Sequence, residues 1–222
     1  MGTVVALTNS KGGVGKSTVS VHLAAWSQER GLRTALVDAD IQGASSLWLH
    51  EASPDIPVFR LQTPDEILEQ VAQLAVQFDV LVVDGPAGLS EVTRAILLVA
   101  NLALLPCGPS VLDLRAVYEA IRVVRQAQGI RGGPPQVMLV PNKLQVQYRL
   151  THELLETVQS LGVPVVGGLR LRQAFADAAG QGTLVWRLGP RAAAATEEIN
   201  GLLGGLGLYE CQANDERRVA HE

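Results

Sequence analysis

The sequence predicts a single α/β domain in which a mostly parallel, twisted sheet is flanked by helices on both faces. The first observation behind this prediction is that short β-rich runs alternate with helical segments along the whole chain. The second is that hydrophobic residues make up 47% of the 222 residues but aromatic residues only 4%. A core of aliphatic side chains is typical of parallel strands that are buried on both faces.

The strand-like runs are short, apolar and bounded by turn residues. They are predicted at residues 3–8, 33–38, 58–62, 78–84, 102–106, 136–140 and 163–166. The helical segments are longer, and in the first of them Val19, Leu23 and Trp26 lie along one face. Helices are predicted at residues 16–30, 65–78, 112–128, 151–161, 173–179 and 191–203. Gly31 is predicted to end the first helix.

No internal repeat or low-complexity linker divides the chain, so residues 1–209 are predicted to form one domain. Residues 210–222 are polar and charged without periodicity, and we expect this tail to be disordered. The longest apolar stretch, residues 95–105, is interrupted by Asn101 and falls short of the ~20 residues that a membrane helix needs. The first residues lack a signal-peptide pattern. We therefore expect a cytoplasmic protein that does not bind membranes.

The charged residues argue against a strongly basic nucleic-acid-binding domain, because the formal net charge is −4. Any DNA contact must then come from a local basic patch. Lysine occurs only at Lys11, Lys16 and Lys143, and arginine supplies the other cations. Two of the three lysines lie in one glycine-rich segment, which indicates a specific role. Cys107 and Cys211 lack metal-ligand spacing, and we expect two separate thiols.

The glycine-rich segment, residues 10–17 (SKGGVGKS), lies directly between the first predicted strand and the first predicted helix. Its three glycines allow backbone N–H groups to curl around a phosphate, and the helix adds its positive end. Lys16 is placed to reach the β- and γ-phosphates, and Ser17 to bind Mg²⁺. A glycine-rich turn without a ligand is the alternative, but strand, loop and helix all agree with a phosphate loop.

The standard phosphate-loop pattern has glycine at the position of Ser10. This chain therefore departs from the pattern, and it carries an additional lysine, Lys11, just before the glycines. The departure indicates a variant of the loop.

Carboxylates follow two predicted strands. Asp38 ends the predicted strand at 33–38, and Asp40 follows that strand. Asp84 ends the predicted strand at 78–84. Ligands of open α/β sheets bind at the carboxyl ends of the strands, where phosphoryl transfer needs Mg²⁺ and a positioned water. We therefore predict functional roles for Asp40 and Asp84. Asp38 has two open interpretations, a helix cap or support for the site.

Together these motifs resemble the ParA/MinD family of deviant Walker A ATPases. The resemblance rests on SKGGVGKST at 10–18, VDADIQG at 37–43 and VVDGPAG at 82–88, with Asn142 of VPNK resembling the residue that contacts adenine. Two departures leave the subfamily open. Ile41 stands where family members often have proline, and Ser10 where partition proteins often have glutamine.

The resemblance implies a P-loop NTPase fold, ATP and Mg²⁺ as ligands, and ATP hydrolysis. Lys11 matches the signature lysine that reaches a second subunit's phosphates, so a homodimer with ATP between its subunits is implied. Asp40 matches the residue that positions the attacking water, and Asp84 the residue that supports the metal shell. The implied catalytic residues are Lys11, Lys16 and Asp40, and the implied metal-site residues are Ser17, Asp40 and Asp84. The implied nucleotide contacts are Lys11, Gly12, Gly13, Val14, Gly15, Lys16, Ser17, Thr18 and Asn142.

Within the family, the chain resembles small ParA proteins, since its first strand begins at residue 3 with no preceding helix-turn-helix domain. Such proteins bind nucleoid DNA nonspecifically as ATP dimers, and they position plasmids, chromosomes or protein cargo such as carboxysomes. A ParB-like or cargo-adaptor partner that stimulates hydrolysis is implied, and so is nucleoid association. The candidate DNA contacts are Arg149, Arg170, Arg172, Arg187 and Arg191, with Arg170 and Arg172 preferred. Solvated surface charge is the alternative for each.

Other functions stay open. One is a MinD-like or other regulatory or assembly ATPase that does not act on DNA, but the tail lacks the amphipathic basic helix of a membrane-binding MinD. Others are a metal-cluster carrier, a ligase of the dethiobiotin-synthetase type, and a regulator that sequesters a partner. The cysteines argue against the carrier and Lys11 against the ligase. The predicted helix at 112–128, with Arg115, Arg122 and Arg125, is a further candidate for a dimer or partner surface.

Overall fold

The computed structural model describes residues 1–145, 147, 149, 151, 154 and 161–208. Within these residues six strands form one sheet, and every neighbouring pair of strands is parallel. The strands are β1 (Thr3–Asn9), β2 (Thr34–Asp38), β3 (Val58–Arg60), β4 (Val80–Ala87), β5 (Leu102–Cys107) and β6 (Gln136–Pro141). Their order across the sheet is β3-β2-β4-β1-β5-β6. The predicted parallel α/β sheet is confirmed.

Helices connect the strands and continue after the last one. They are α1 (Lys16–Glu29), α2 (Ala44–Ala52), α3 (Pro64–Leu74), α4 (Glu91–Val99), α5 (Val111–Arg131), α6 (Gln173–Gly180) and α7 (Ala193–Gly204). Two short 3₁₀ helices, Val185–Arg187 and Pro190–Ala192, lie between α6 and α7. Gly31 follows α1 with a φ of 85°, as expected for a glycine that ends a helix.

Alternate residues of each strand pack against opposite layers of helices. In β1, Val5 and Leu7 join a core with side chains of α1, α2 and α7. Val4 and Ala6 join a second core with side chains of α3 and α4. This alternation explains why the strand sequences are apolar throughout, since side chains are buried on both faces.

The strand order brings the loops after β1, β2 and β4 to the same edge of the sheet. Asp38, at the end of β2, and Asp84 of β4 are register partners, and Leu7 of β1 is opposite Asp84 on its other side. The prediction that the strand ends at Asp84 was wrong, because β4 continues to Ala87 by pairing with β1. From the neighbouring strands β1 and β4 the chain leaves in opposite directions, from β1 towards β2 and from β4 towards β5, and such a switch point is where open α/β sheets bind ligands.

Two helices of the structure were not predicted from the sequence, and one predicted strand was wrong. Helices α2 and α4 were not predicted, because each has only nine residues. The apolar run at 95–105 divides at Ala100 into the end of α4 and the start of β5, which periodicity alone does not reveal. The predicted strand at 163–166 is only an isolated bridge between Leu139 and Val165. Pro164 has no N–H to donate and Gly167 has a φ of 52°, so longer pairing is prevented.

Most of the predicted helix at 151–161 and the predicted tail at 210–222, with Cys211, lie outside the described residues. Cys107 is buried and is not in a disulfide. A search of the described helices finds none that is both long and apolar enough to span a membrane.

Candidate functional site

The loop between β1 and α1 has the backbone of a phosphate cradle. Gly13 and Gly15 have φ values of 71° and 98°, which residues with side chains rarely adopt. A Cβ on Gly15 would also lie 2.1 Å from Nδ2 of Asn142. Gly15 precedes α1 without a side-chain cap, so the first N–H groups of α1 are available to an anion. Gly12 lies opposite Ala87, the last residue of β4, and Val14 is buried.

Lys16 is the cation of this loop, and it is only 6% exposed. Its Nζ donates to the backbone oxygen of Lys11 at 3.4 Å. Burial lowers the pKa of Lys16 below its usual value, while the negative charges of Asp84 and Asp40 act in the opposite direction. A buried ammonium with one long hydrogen bond to a neutral oxygen is well placed to receive an anionic ligand.

Asp84 is a buried residue of β4, where the pairing of β4 with β2 ends, and it lies beside the start of α1. Its Oδ1 accepts a hydrogen bond from the Ser20 hydroxyl at 3.0 Å. Its Oδ2 has no partner among the described residues. Burial raises the pKa of Asp84 to about 6, although the hydroxyls of Ser17, Ser45 and Ser20 favour the ionised form. The unpaired Oδ2 is available to a cation or to water.

The two acidic residues after β2 have different roles in the structure. Asp38 accepts hydrogen bonds from the backbone N and the hydroxyl of Ser46, at 2.9 and 2.6 Å, and from Asp40 N at 3.1 Å. The contacts with Ser46 agree with a cap for the first turn of α2, and the contact with Asp40 N agrees with support for the site, so both interpretations of Asp38 stay open. Asp40 is half-buried, and its Oδ1 accepts from Gln42 N at 3.0 Å.

These residues fit Mg²⁺ that arrives with a nucleotide. The described residues contain no cluster of three or more His, Cys, Asp or Glu side chains that would hold a metal alone. Mg²⁺ is instead commonly bound through one or two carboxylates, several waters and substrate phosphates. The unpaired Asp84 oxygen and the half-buried Ser17 hydroxyl are donors of that kind.

Lys11 is placed differently from Lys16. Its Nζ lies 2.7 Å from Oδ1 of Asp113 in the first turn of α5, and its side chain is 40% exposed. Its backbone N donates to Asn9 Oδ1 at 3.0 Å, and the hydroxyl of neighbouring Ser10 donates to the Ala116 carbonyl at 3.1 Å. The start of the loop is thus attached to α5, and the Lys11 ammonium lies on an accessible rim.

Asn142 braces the loop from β6. Its Nδ2 donates to Val14 O at 2.7 Å and its Oδ1 accepts from Lys143 N at 2.7 Å. It also lines a cavity of about 270 Å³ beside Thr18 and Phe175. That cavity adjoins the phosphate loop through Gly15. Contact between Asn142 and a nucleotide base stays a prediction.

The preferred DNA candidates lie at the rim of the same cavity. Arg172 makes a two-pronged ion pair with Glu198, with N–O distances of 2.6 and 3.0 Å. Nε of Arg170 lies 3.5 Å from the same carboxylate. Arg170, Arg172 and Glu198 together therefore carry one net positive charge. Arg149 is exposed, and Arg187 forms an ion pair with Glu29 at 2.7 Å.

Sequence reasoning missed several residues that shape the site. Asp113, Ser20 and Ser45 contact or adjoin the predicted residues, and Arg60 donates to the Ile41 carbonyl at 3.0 Å. Only Ser20 had a local signal, because it lies one helical turn after Lys16. The others come from distant segments that the sheet brings together.

The family model for the CobQ/CobB/MinD/ParA nucleotide binding domain matches residues 5–185. The chain is 33% identical over 206 residues to the maintenance of carboxysome distribution protein A of Halothiobacillus neapolitanus, covering 90% of this chain and 94% of that protein. It is also 33% identical over 227 residues to the protein of the same name from Gloeobacter kilaueensis, covering 99% and 93%.

Solved structures share the fold. The ATP complex of a Cyanothece McdA variant superposes with a TM-score of 0.79 at 14% identity, covering 93% of this chain and 96% of that chain. The cell division ATPase MinD of Pyrococcus furiosus gives a TM-score of 0.75 at 22% identity, covering 93% and 98%. The predicted phosphate-loop fold is confirmed.

Proposed function

Because the chain belongs to the CobQ/CobB/MinD/ParA nucleotide-binding family, we propose that it is a dimerising switch ATPase that binds DNA nonspecifically in its ATP state and positions a cargo. The observation that carries the proposal is the different placement of its two loop lysines. Lys16 is buried within the phosphate loop, whereas the Lys11 ammonium lies on the rim, held by Asp113. A rim lysine can leave its carboxylate for the phosphates of a second subunit.

In the proposed reaction, ATP is hydrolysed to ADP and phosphate. The loop N–H groups and Lys16 hold the phosphates, and Ser17 with Asp84 holds the metal shell. Mg²⁺, when bound, neutralises the charge that develops on the phosphate oxygens. Asp40 orients the water for in-line attack, and its place in a short loop after β2 allows it to respond to the terminal phosphate.

Two relatives, each named for the maintenance of carboxysome distribution, support a cargo of the carboxysome type. The proposed partners are a second copy of the chain, nonspecific DNA, and a ParB-like or adaptor protein that stimulates hydrolysis. A nucleoid-bound state in the cell follows from this proposal. With a net charge of −4, DNA binding must depend on arginines gathered by the dimer, and Arg149, Arg170 and Arg172 remain the candidates.

The proposal is tested by DNA retention with ATP, with ADP and without nucleotide, over a salt series. We expect sequence-independent binding that requires ATP and weakens steeply with salt. The double variant Arg170→Ala/Arg172→Ala should bind more weakly and show a shallower salt dependence. Arg33→Ala is the matched control, because Arg33 lies at the opposite edge of the sheet and pairs with Asp79. Equal retention in all nucleotide states, or none in any, would contradict a DNA-bound switch.

A further inference from the structure

Two buried polar atoms beside the metal-site carboxylate have no hydrogen-bond partner among the described residues. They are the hydroxyl oxygen of Ser45 and Oδ2 of Asp84. Ser45 has no exposed surface, and Asp84 is 1% exposed. The two side chains are close enough for the hydroxyl to favour the ionised carboxylate. Buried polar groups are rarely left unpaired because their lost hydration is not replaced, so the pair indicates a polar ligand between or beside them.

Ser45 differs from the other hydroxyls around Asp84. Ser20 is already satisfied, since its hydroxyl contacts both Lys16 O and Asp84 Oδ1 at 3.0 Å. Ser17 is the predicted direct metal ligand on the same helix, α1. Ser45 comes from a different element: it is the second residue of α2, the helix that follows the loop containing Asp40.

The contacts of the next residue, Ser46, hold Ser45 in position. Asp38 holds the backbone N and hydroxyl of Ser46 at 2.9 and 2.6 Å, and it holds Asp40 N at 3.1 Å. The first turn of α2 and the Asp40 loop are therefore connected through one carboxylate. A ligand bound by Ser45 would act on the same short segment that carries Asp40.

We propose that Ser45 is a positioning residue that couples magnesium binding to the loop that carries Asp40, its hydroxyl and Asp84 Oδ2 together binding a water of the metal's hydration shell. Mg²⁺ keeps several waters when it binds to proteins, and residues that hold such waters orient the site. The inference rests on the proposed Mg²⁺–nucleotide site and adds the residue through which the metal acts on α2.

The test compares the affinity for a fluorescent ADP analogue in MgCl₂ and in EDTA. Wild-type protein should bind more tightly with Mg²⁺. In Ser45→Ala this gain should fall by about tenfold, whereas affinity in EDTA should be unchanged. Ser46→Ala is the matched control: the same change one residue later removes a hydroxyl that contacts Asp38, and the Mg²⁺ gain should be retained.

Thermal unfolding without metal gives a second readout. Ser45→Ala should lower the unfolding temperature less than Ser46→Ala does, because the Ser45 hydroxyl makes no hydrogen bond of ordinary geometry in the described structure and only favours the ionised form of the nearby Asp84. Ser46→Ala should unfold at a clearly lower temperature, because the 2.6 Å hydrogen bond from its hydroxyl to the buried Asp38 carboxylate is lost. Ser45 would have a merely structural role if its variant lost affinity equally in MgCl₂ and EDTA, or if it lost as much unfolding temperature without metal as Ser46→Ala.

Different results would contradict the proposed Mg²⁺–nucleotide site and the proposed role of Ser45. A wild-type protein without any Mg²⁺-dependent gain in affinity would overturn the nucleotide site itself. A wild-type gain that Ser45→Ala fully retains would overturn only the role of Ser45.

Discussion

The ammonium of Lys11 lies 2.7 Å from Oδ1 of Asp113, a carboxylate of the same chain. Asp113 is 7% exposed, and its backbone N donates to the Ser110 hydroxyl at 3.1 Å, so the first turn of α5 holds this carboxylate in place. In the single chain, Lys11 is thus occupied by its own subunit. For Lys11 to reach a second subunit, the ion pair must first break.

Asp113→Asn should strengthen ATP-dependent dimerisation. The change removes the charge that holds Lys11, and a partly exposed ion pair of this kind corresponds to about a two- to fivefold change in the dimer dissociation constant. Sedimentation of the ATP-bound protein measures it. Asp79→Asn, the same change in a carboxylate that lies 2.7 Å from Arg33 at the opposite edge of the sheet, is the control. Weaker dimerisation of Asp113→Asn would show that the carboxylate supports the dimer instead.

Lys11→Ala and Lys16→Ala should have separable effects. The buried Lys16 is placed for phosphates in its own subunit, so its loss should abolish nucleotide binding. Lys11→Ala should retain monomer nucleotide binding but lose dimerisation on ATP. Calorimetric titration of nucleotide and light scattering of the dimer distinguish the two. ATP-induced dimers of Lys11→Ala would refute the proposed contact across the interface.

Asp40→Ala should leave a long-lived ATP state. The half-buried carboxylate has one oxygen engaged by Gln42 N, and its loss should slow hydrolysis on the order of 10²-fold or more with little effect on ATP affinity. Single-turnover hydrolysis measures the rate, and filter binding measures the affinity. Unchanged turnover would remove Asp40 from the reaction.

Asp84→Asn should stabilise the metal-free protein while abolishing the Mg²⁺-dependent gain in nucleotide affinity. Burial raises the pKa of Asp84 from 3.8 to about 6. Above that value the folded protein holds an ionised buried carboxylate, which lowers its free energy of unfolding on the order of 3 kcal/mol. The penalty disappears as pH falls from 6 towards 3.8, where wild type and variant should converge. Urea unfolding at both ends of this range checks the prediction, and a less stable variant at neutral pH would contradict it.

His22 should make the fold sensitive to acid. Its Nδ1 donates to Thr18 O at 2.7 Å and its Nε2 accepts from Val185 N at 3.3 Å, which leaves no place for a second proton. Burial lowers the pKa of His22 from 6.5 to about 4. The unfolded chain therefore binds a proton first, and stability present above pH 6.5 is lost as pH falls towards 4, by up to about 3 kcal/mol.

The measurement for His22 is the difference in unfolding free energy between wild type and His22→Gln across this pH range. The variant should be less stable at neutral pH, and the difference should shrink on acidification. Comparing the two proteins cancels the opposite pH dependence of Asp84, which both retain. A difference independent of pH would show that His22 contributes packing alone.

Local spacing was sufficient for the parts of the site that lie in continuous segments. The phosphate loop needs glycines, Lys16 and Ser17 at fixed separations between a strand and a helix, and those separations are visible in the sequence. The parallel sheet and its two covering layers were predicted for the same reason, and so was the position of Asp40 just after β2, whereas β4 continues three residues beyond its predicted end at Asp84. The short helices α2 and α4 were missed because nine residues give too little periodicity to separate a helix from an apolar run.

The sequence by itself determined that this chain builds a phosphate loop with two lysines and presents carboxylates at neighbouring strand ends. Only the tertiary structure decided the partners of those groups: Asp113 for Lys11, Ser20 and Ser45 for Asp84, and Asn142 as a brace for Val14 across 128 residues. Each of these contacts depends on which strands are neighbours and on their register. Strand order and register are set by the packing of the whole sheet, and spacing along one segment does not encode them.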